Sequence, residues 1–233
     1  MKLYSNRFAG QIPVHEPCHC GDTRVHSLHR DHQDTAGEAW QRLLALIDAA
    51  AADGRETFAP GQEIEPELWQ QIVRLPPSIA GLTRVKTLNL YGSNLSAIPP
   101  QIGEMMRLET FDPYTSRRLH WFPHEISRCR ALRDSTVSTR HLYGNFKNRL
   151  AFPRLPAEPP EGTTPPVCSV CAGPFAASGP HQVWISLPIA TDVLPLLVHA
   201  CSSDCVAALP APPKNYVDHP HHGGSELVQP PGY

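Results

Sequence analysis

The chain lacks what would mark a membrane protein or an exported one. No apolar run approaches the roughly 18–20 residues that cross a bilayer. The start, Met1-Lys2-Leu3-Tyr4-Ser5-Asn6-Arg7, has neither the apolar core nor the small-residue cleavage site of a secretory signal. A cytoplasmic protein without membrane contact is therefore expected. An excess of one charge is also lacking: the net charge is −2 and the isoelectric point about 6.7, which gives no electrostatic case for nucleic acid. Residues 167–210 contain no Lys or Arg at all, so phosphate contact through that stretch is excluded. No His-Glu-x-x-His motif or paired-carboxylate arrangement is present to support a metal hydrolase.

What is abundant is proline, 26 residues in 233, gathered at regular intervals, at 153–166 and after 210. That suits a chain that turns often or runs as a linker, and it argues against a helical bundle. The intervals are those of a repeat. Leu75-Pro76, Ile98-Pro99 and Phe122-Pro123 open three successive units of nearly equal length. Ile79, Ile102 and Ile126 follow four places in, and Val85, Leu108 and Leu132 ten in. The units continue as Val85-x-x-Leu88-x-Leu90, Leu108-x-x-Phe111-x-Pro113 and Leu132-x-x-Ser135-x-Val137. A repeat of this length and core means one strand and a return segment per unit, stacked into a solenoid. Regularity decays along the chain, with Pro113 on the second strand and Ser135 and Arg140 at apolar positions of the third unit.

A solenoid end exposes an open core, so a cap is expected. Thr35-Ala-Gly-Glu38 reads as a capping box, and Trp40, Leu43, Leu44, Ile47, Ala50 and Ala51 recur at helical spacing up to Gly54. This predicts a helix over 35–53, and a second short one after Pro66. The stretch Leu75 to Ile102 resembles bacterial leucine-rich-repeat proteins of the 23-residue variety with Leu-Pro at the start of each unit. It departs from that family at the asparagine-ladder position, where Ser93 stands and Asn94 is one place late. The resemblance implies protein binding or scaffolding, and no catalytic residue.

Six of the seven cysteines fall in close sets, which in a reducing compartment points to metal rather than disulfides. Cys168-Ser-Val-Cys171 and Cys201-Ser-Ser-Asp-Cys205 offer four thiolates suited to tetrahedral Zn2+ in a closed, structural site. Between them 182–187 and 194–199 read as strands, and 202–209 as a short helix with Ser202 or Ser203 as N-cap. Knuckle, hairpin and ligand-bearing helix, with Ala200-Cys-Ser-Ser-Asp-Cys205, resemble the treble-clef zinc fingers. Cys129, at a repeat position occupied elsewhere by Leu82 and Met105, is expected as a buried thiol. Near the start, Cys18 and Cys20 with His26 and His29 are candidates for a second metal site, against the alternative of a polar arm with scattered histidines.

The resulting expectation is a mixed α/β protein in six parts. These are a His/Cys-rich arm (1–34), a helical cap (35–74), about three leucine-rich repeats (75–150), a Pro-rich linker (151–166), a four-cysteine zinc module (167–210) and a tail (211–233). In an L-x-x-L-x-L strand the intervening residues face outward on the concave side. Lys86, Asn89 and Tyr91, then Glu109, Asp112 and Tyr114, then Arg133, Thr136 and Ser138 are therefore the candidate surface for a protein partner, bound by a monomer. Arg117, Arg118, His120 and Trp121 are expected as a secondary patch. An enzyme is not expected. The alternative is a ubiquitin-ligase-like or metal-dependent enzyme using the Cys/His clusters. What remains after the repeats is too short for the helical catalytic type, and one module with four cysteines plus His181 and His199 is too small for two interleaved zinc sites.

Overall fold

Apolar residues on one face of the first helix give the chain its first packing surface. The computed structural model describes residues 28–231. In it α1 spans Glu38–Asp53, burying Ala39, Leu43, Ile47 and Ala50, and ends at Gly54 (φ +67°), whose N–H reaches the Ala50 carbonyl. The expected capping box does not form. Asp34 instead takes the N–H groups of Ala36 and Gly37 on Oδ1, both at 3.0 Å, so the helix starts three residues later, with Gly37 as N-cap. The stretch after Gly54 forms a two-residue strand, β1 (Thr57–Phe58), and two single turns, α2 (Pro60–Glu63) and α3 (Pro66–Trp69). Each turn is opened by proline, whose missing N–H is harmless at that position.

The three proline-marked units then form in the predicted register. Strand β2 (Thr87–Asn89) pairs in parallel with β1 on one side and with β3 (Thr110–Asp112) on the other, and β3 with β5 (Asp134–Ser135). Thr87 lies beside Thr110, and Thr110 beside Asp134, so each strand is displaced from the next by one unit of the proline-marked pattern. Each return segment holds a 3₁₀ turn, Pro77–Gly81, Pro100–Glu104 and His124–Arg128, with Ile79, Ile102 and Ile126 fully buried at its centre. Neighbouring turns approach so closely that a Cβ on Gly103 would come within 2.8 Å of the Glu125 carbonyl oxygen. At the turn position without asparagine, serines take over. Ser116 Oγ accepts from the Ser93 N–H at 3.1 Å and donates to the Leu90 carbonyl at 2.9 Å, and Ser138 Oγ accepts from the Thr115 N–H. The buried backbone groups of the turn are thus satisfied.

The third unit departs from the repeat because another element docks there. A long antiparallel hairpin, β6 (His181–Ile189) and β7 (Asp192–Ala200), lies beside β4 (Phe122–Pro123), which pairs in parallel with Leu196–Leu197. The tip of this hairpin meets Ser135, whose hydroxyl donates to Asp192 Oδ2 at 2.8 Å, while Thr191 Oγ1 donates to the Ser135 carbonyl at 2.9 Å. A serine in place of leucine is thereby explained. One hydrophobic cluster runs from Leu43 on α1 through Leu88 and Phe111 to Val198 on β7. A second holds Trp121, Tyr143, Phe152, Trp184 and Leu197. Cys129 is buried as expected; burial pushes its thiol up to about 12, and the S–H donates to the Ile102 carbonyl.

The chain beyond 210 packs back on the body. His221 exchanges both backbone hydrogen bonds with Trp184 (2.7 and 3.0 Å), and its ring meets Phe152 edge-on at 4.5 Å. Burial, and then the neighbouring His219 and His222, push the His221 imidazole down to about 4. The unfolded chain, with an ordinary value near 6.5, therefore binds more protons between those limits. The contribution is complete above about pH 6.5 and is lost as pH falls towards 4, about 2 kcal/mol by pH 5. His221→Gln is expected to flatten the pH dependence of urea unfolding between pH 7 and 5 by that amount. Equal slopes for variant and wild type would reject the assignment.

Candidate metal centre

Two chain segments bring four sulfur atoms together at the end of the hairpin away from its tip. Cys168 and Cys171 sit in a tight turn ahead of β6, closed by the Cys168 N–H on the Gly173 carbonyl and the Ala172 N–H on the Cys168 carbonyl. Cys201 follows β7 directly, and Cys205 lies on α4 (Ser203–Ala207), whose N-cap Ser202 accepts from the Cys205 N–H at 3.3 Å. The expected strands and helix are all present, the strands longer by one or two places at each end and the helix shorter by about a turn. Sγ of Cys201 lies 3.6 Å from those of both Cys171 and Cys205, and all four sulfurs fall within 4.8 Å of one another.

These distances fit a metal ion. Ligands at about 2.3 Å in a tetrahedron stand about 3.8 Å apart, whereas a disulfide needs about 2.05 Å. The surrounding amides favour thiolate. Cys168 Sγ accepts from the N–H groups of Val170, Cys171 and Cys201 at 3.3–3.5 Å, and Cys171 Sγ from Gly173. Burial raises the Cys168 thiol, but those three amides outweigh it and hold the group down to about 6. Cys201 behaves oppositely: hydrogen bonds with the Cys171 and Cys205 sulfurs push it up to about 12. Four sulfurs so close cannot all ionise without a cation among them, and a divalent ion such as zinc would supply it.

The cluster is tied into the body on two sides. The Ser169 N–H donates to the His199 carbonyl and Ser169 Oγ accepts from the His199 N–H, stitching the turn to the end of β7. Arg128, on the return segment of the third unit, donates from Nη2 to the carbonyls of Cys168 and Ser169, both at 3.3 Å. No motif or spacing in the sequence points to that arginine. Among the described residues the four cysteines form the only group of three or more candidate ligands. His181 is exposed, His199 is buried, and neither joins them.

The other sequence candidates fall into different places. Cys18, Cys20 and His26 lie outside the described residues; His29 lies against His120. On the sheet face, Tyr91 and Tyr114 are large, exposed and adjacent, with ring centroids 6.1 Å apart. Asn89 and Asp112 stand side by side, yet each takes the N–H of the tyrosine two residues on, at 3.0 Å, so their side chains hold the turn. Lys86 pairs with Glu56 at 2.6 Å, Glu109 pairs with Arg133, Thr136 is exposed, and Ser138 is occupied by the Thr115 amide. The secondary patch does not exist as a surface. His120 and Trp121 are buried, and Arg118 is covered by segment 28–33 and bound to Asp31 Oδ1 at 2.6 Å, which leaves only Arg117 exposed.

Fold and site together define a mixed α/β protein, few in helices, with one parallel and one mixed sheet and a four-thiol cluster that can hold a metal ion. None of its described helices is long and apolar enough to cross a membrane. Compared with protein-family models and with curated proteins, the chain matches none.

Proposed function

We propose that this chain is a non-enzymatic scaffold that binds a protein partner on the concave face of a short leucine-rich-repeat solenoid, with a structural Zn2+ in a treble-clef-like module. The parallel pairing of strands one unit apart supports the repeat reading, and Tyr91 with Tyr114 carries the binding reading. They are the largest exposed aromatics on that face, 56% and 47% accessible, on a backbone fixed by the Asn89 and Asp112 turns. Rigid aromatic side chains lose little entropy on binding and are frequent anchors of protein interfaces. The four-thiol site favours structure over chemistry, because four sulfurs complete a tetrahedron and leave no position for water or substrate.

Asp112 is a poor residue to substitute, since the turn depends on it. Tyr91→Ala/Tyr114→Ala removes the anchors and leaves the turns intact. Hot-spot residues contribute about 2 kcal/mol or more each, about 30-fold apiece, so the pair should weaken binding of a captured partner by about 30-fold to 1000-fold depending on how far the two effects add. Quantitative capture by wild type and variant, with metal content and melting temperature matched, reads this directly. Equal retention of every partner by both would place the working surface elsewhere.

A further inference from the structure

Cations on the strand face are compensated, and those past the carboxyl ends of the strands are not. Lys86 pairs with Glu56, and Arg133 with Glu109. Residues 135–157, by contrast, contain four Lys or Arg and no Asp or Glu. Arg140 and Lys147 among them are exposed, and the Asn148 side chain donates to the Arg140 carbonyl at 3.0 Å, which brings both to one corner. Arg117, also exposed, joins them from the second unit. Burial first, and then the Arg117 charge, lower the His141 imidazole, so that guanidinium lies near the residue after Arg140. Lys147 Nζ sits over the Phe146 ring at 5.4 Å, which leaves its charge unbalanced. Among the described residues none of the three cations meets a carboxylate.

The opposite charge gathers at the other end of the same edge. Residues 56–73 contain four Glu and no Lys or Arg. Glu56 and Glu63 are taken by Lys86 and Arg55, whereas Glu65 and Glu67 are exposed and meet no cation among the described residues. They flank the start of α3, which abuts the first unit where Gln70 Nε2 donates to the Gly92 carbonyl at 3.0 Å. The Gly92 N–H donates in turn to the Tyr114 carbonyl, the Thr115 N–H to Ser138 Oγ, and Arg140 lies two residues beyond. One edge therefore runs, level by level, from glutamates through Tyr91 and Tyr114 to three cations. Three strand intervals are about 15 Å, the reach of about five extended residues. That exceeds the screening length of about 8 Å at physiological salt, so the two ends do not neutralise each other.

We propose that this edge binds an extended protein segment whose acidic residues meet Arg117, Arg140 and Lys147 and whose apolar residues cover Tyr91 and Tyr114, a partner chemistry that rests on the concave-face reading given above. Like charges held together without a counter-charge repel, and carboxylates from a partner relieve that repulsion. Electrostatic complementarity of this kind sets the direction in which a segment lies and speeds its arrival. A nucleic-acid backbone fits less well, because its uniform charge would also run past Glu65 and Glu67.

The test is selection of random twelve-residue peptides displayed on phage against the full-length, zinc-loaded protein. Wild type should enrich peptides with carboxylates to one side of an apolar stretch. Arg117→Glu/Arg140→Glu/Lys147→Glu should lose that bias. A synthetic peptide of the enriched type should bind this variant at least about tenfold more weakly, and wild type more weakly as salt rises. The milder Arg117→Gln/Arg140→Gln/Lys147→Gln should fall between the two, with melting temperature and metal content matched throughout. Tyr91→Ala/Tyr114→Ala separates the two readings: full binding there, with loss in the charge-reversed variant, upholds the acidic segment and sinks the aromatic anchors. A selection without acidic bias, or equal binding of the acidic peptide by wild type and charge-reversed variant, would overturn the proposal. So would a single-stranded RNA of the same length that binds wild type more tightly than the peptide and is lost on charge reversal.

Discussion

Cys201→Ser is expected to remove the metal from the four-cysteine site and lower the melting temperature by about 10 °C or more. Structural zinc contributes an apparent 10–16 kcal/mol, roughly, in zinc-finger peptides, and that binding energy counts as folding energy. Here only part of it should be lost from global stability, because the hairpin does not depend on the metal alone. β7 pairs with Phe122–Pro123, and Val183, Ile185, Leu196 and Val198 belong to the main hydrophobic cluster. A bound metal would contribute most to the turn at 168–173, otherwise held by the Ser169 and Arg128 hydrogen bonds, and to α4, whose five residues are too few to be helical unaided. A global loss of about 4 kcal/mol corresponds to about 10 °C in a chain of this size. Hydrogen exchange should show the change first in 168–173 and 201–209, with β6 and β7 protected longer. Chelation of the wild type should reproduce the variant. Unchanged metal content and melting temperature would remove the basis for a metal-held module.

Trp184→Ala should cost about 3–5 kcal/mol by the ordinary balance of lost transfer energy and residual cavity. Trp184 is fully buried, within 5.7–6.0 Å of the ring centroids of Trp121, Tyr143 and Phe152. Its Nε1 donates to the Pro153 carbonyl at 3.0 Å, and its backbone is the strand partner of His221. Its side chain therefore joins the hairpin, the return segment of the second unit and the stretch after 150, while its backbone holds the C-terminal strap. Trp184→Phe keeps most of the ring contact but strands the Pro153 oxygen, and a loss of about 1–2 kcal/mol is expected from that alone. Chemical unfolding of both variants at neutral pH gives the comparison. An alanine variant within about 1 kcal/mol of wild type would mean that this cluster does not bind the parts together.

The strand positions were legible because burial in a parallel stack leaves a strict period: Val85, Leu88 and Leu90 recur as Leu108, Phe111 and Pro113 in the next unit. The four cysteines were legible for a similar reason, since clasping one ion requires two close pairs whatever lies between. The capping box failed because the Asp34 carboxylate takes the Ala36 and Gly37 amides and the helix begins at Glu38, so Thr35 no longer stands at the N-cap with Glu38 at N3. The patch at 117–121 failed because nothing local reveals that segment 28–33 returns to cover it.

The irregularities of the third unit show where local reading ends. Ser135 breaks the repeat on paper, and in space it is the residue that receives Thr191 and Asp192. Arg128, His120 and His221 likewise carry no local signal, because each acquires its role from a partner remote in the chain: Cys168, His29 and Trp184 respectively. Periods and spacings within a single stretch of chain are enough to set the parallel strand register, the buried isoleucine of each unit and the residues of the sulfur cluster. Where the hairpin docks, which polar residues are buried and which histidines meet are settled only on folding. Those outcomes depend on long-range closure of the chain, which leaves no period to read.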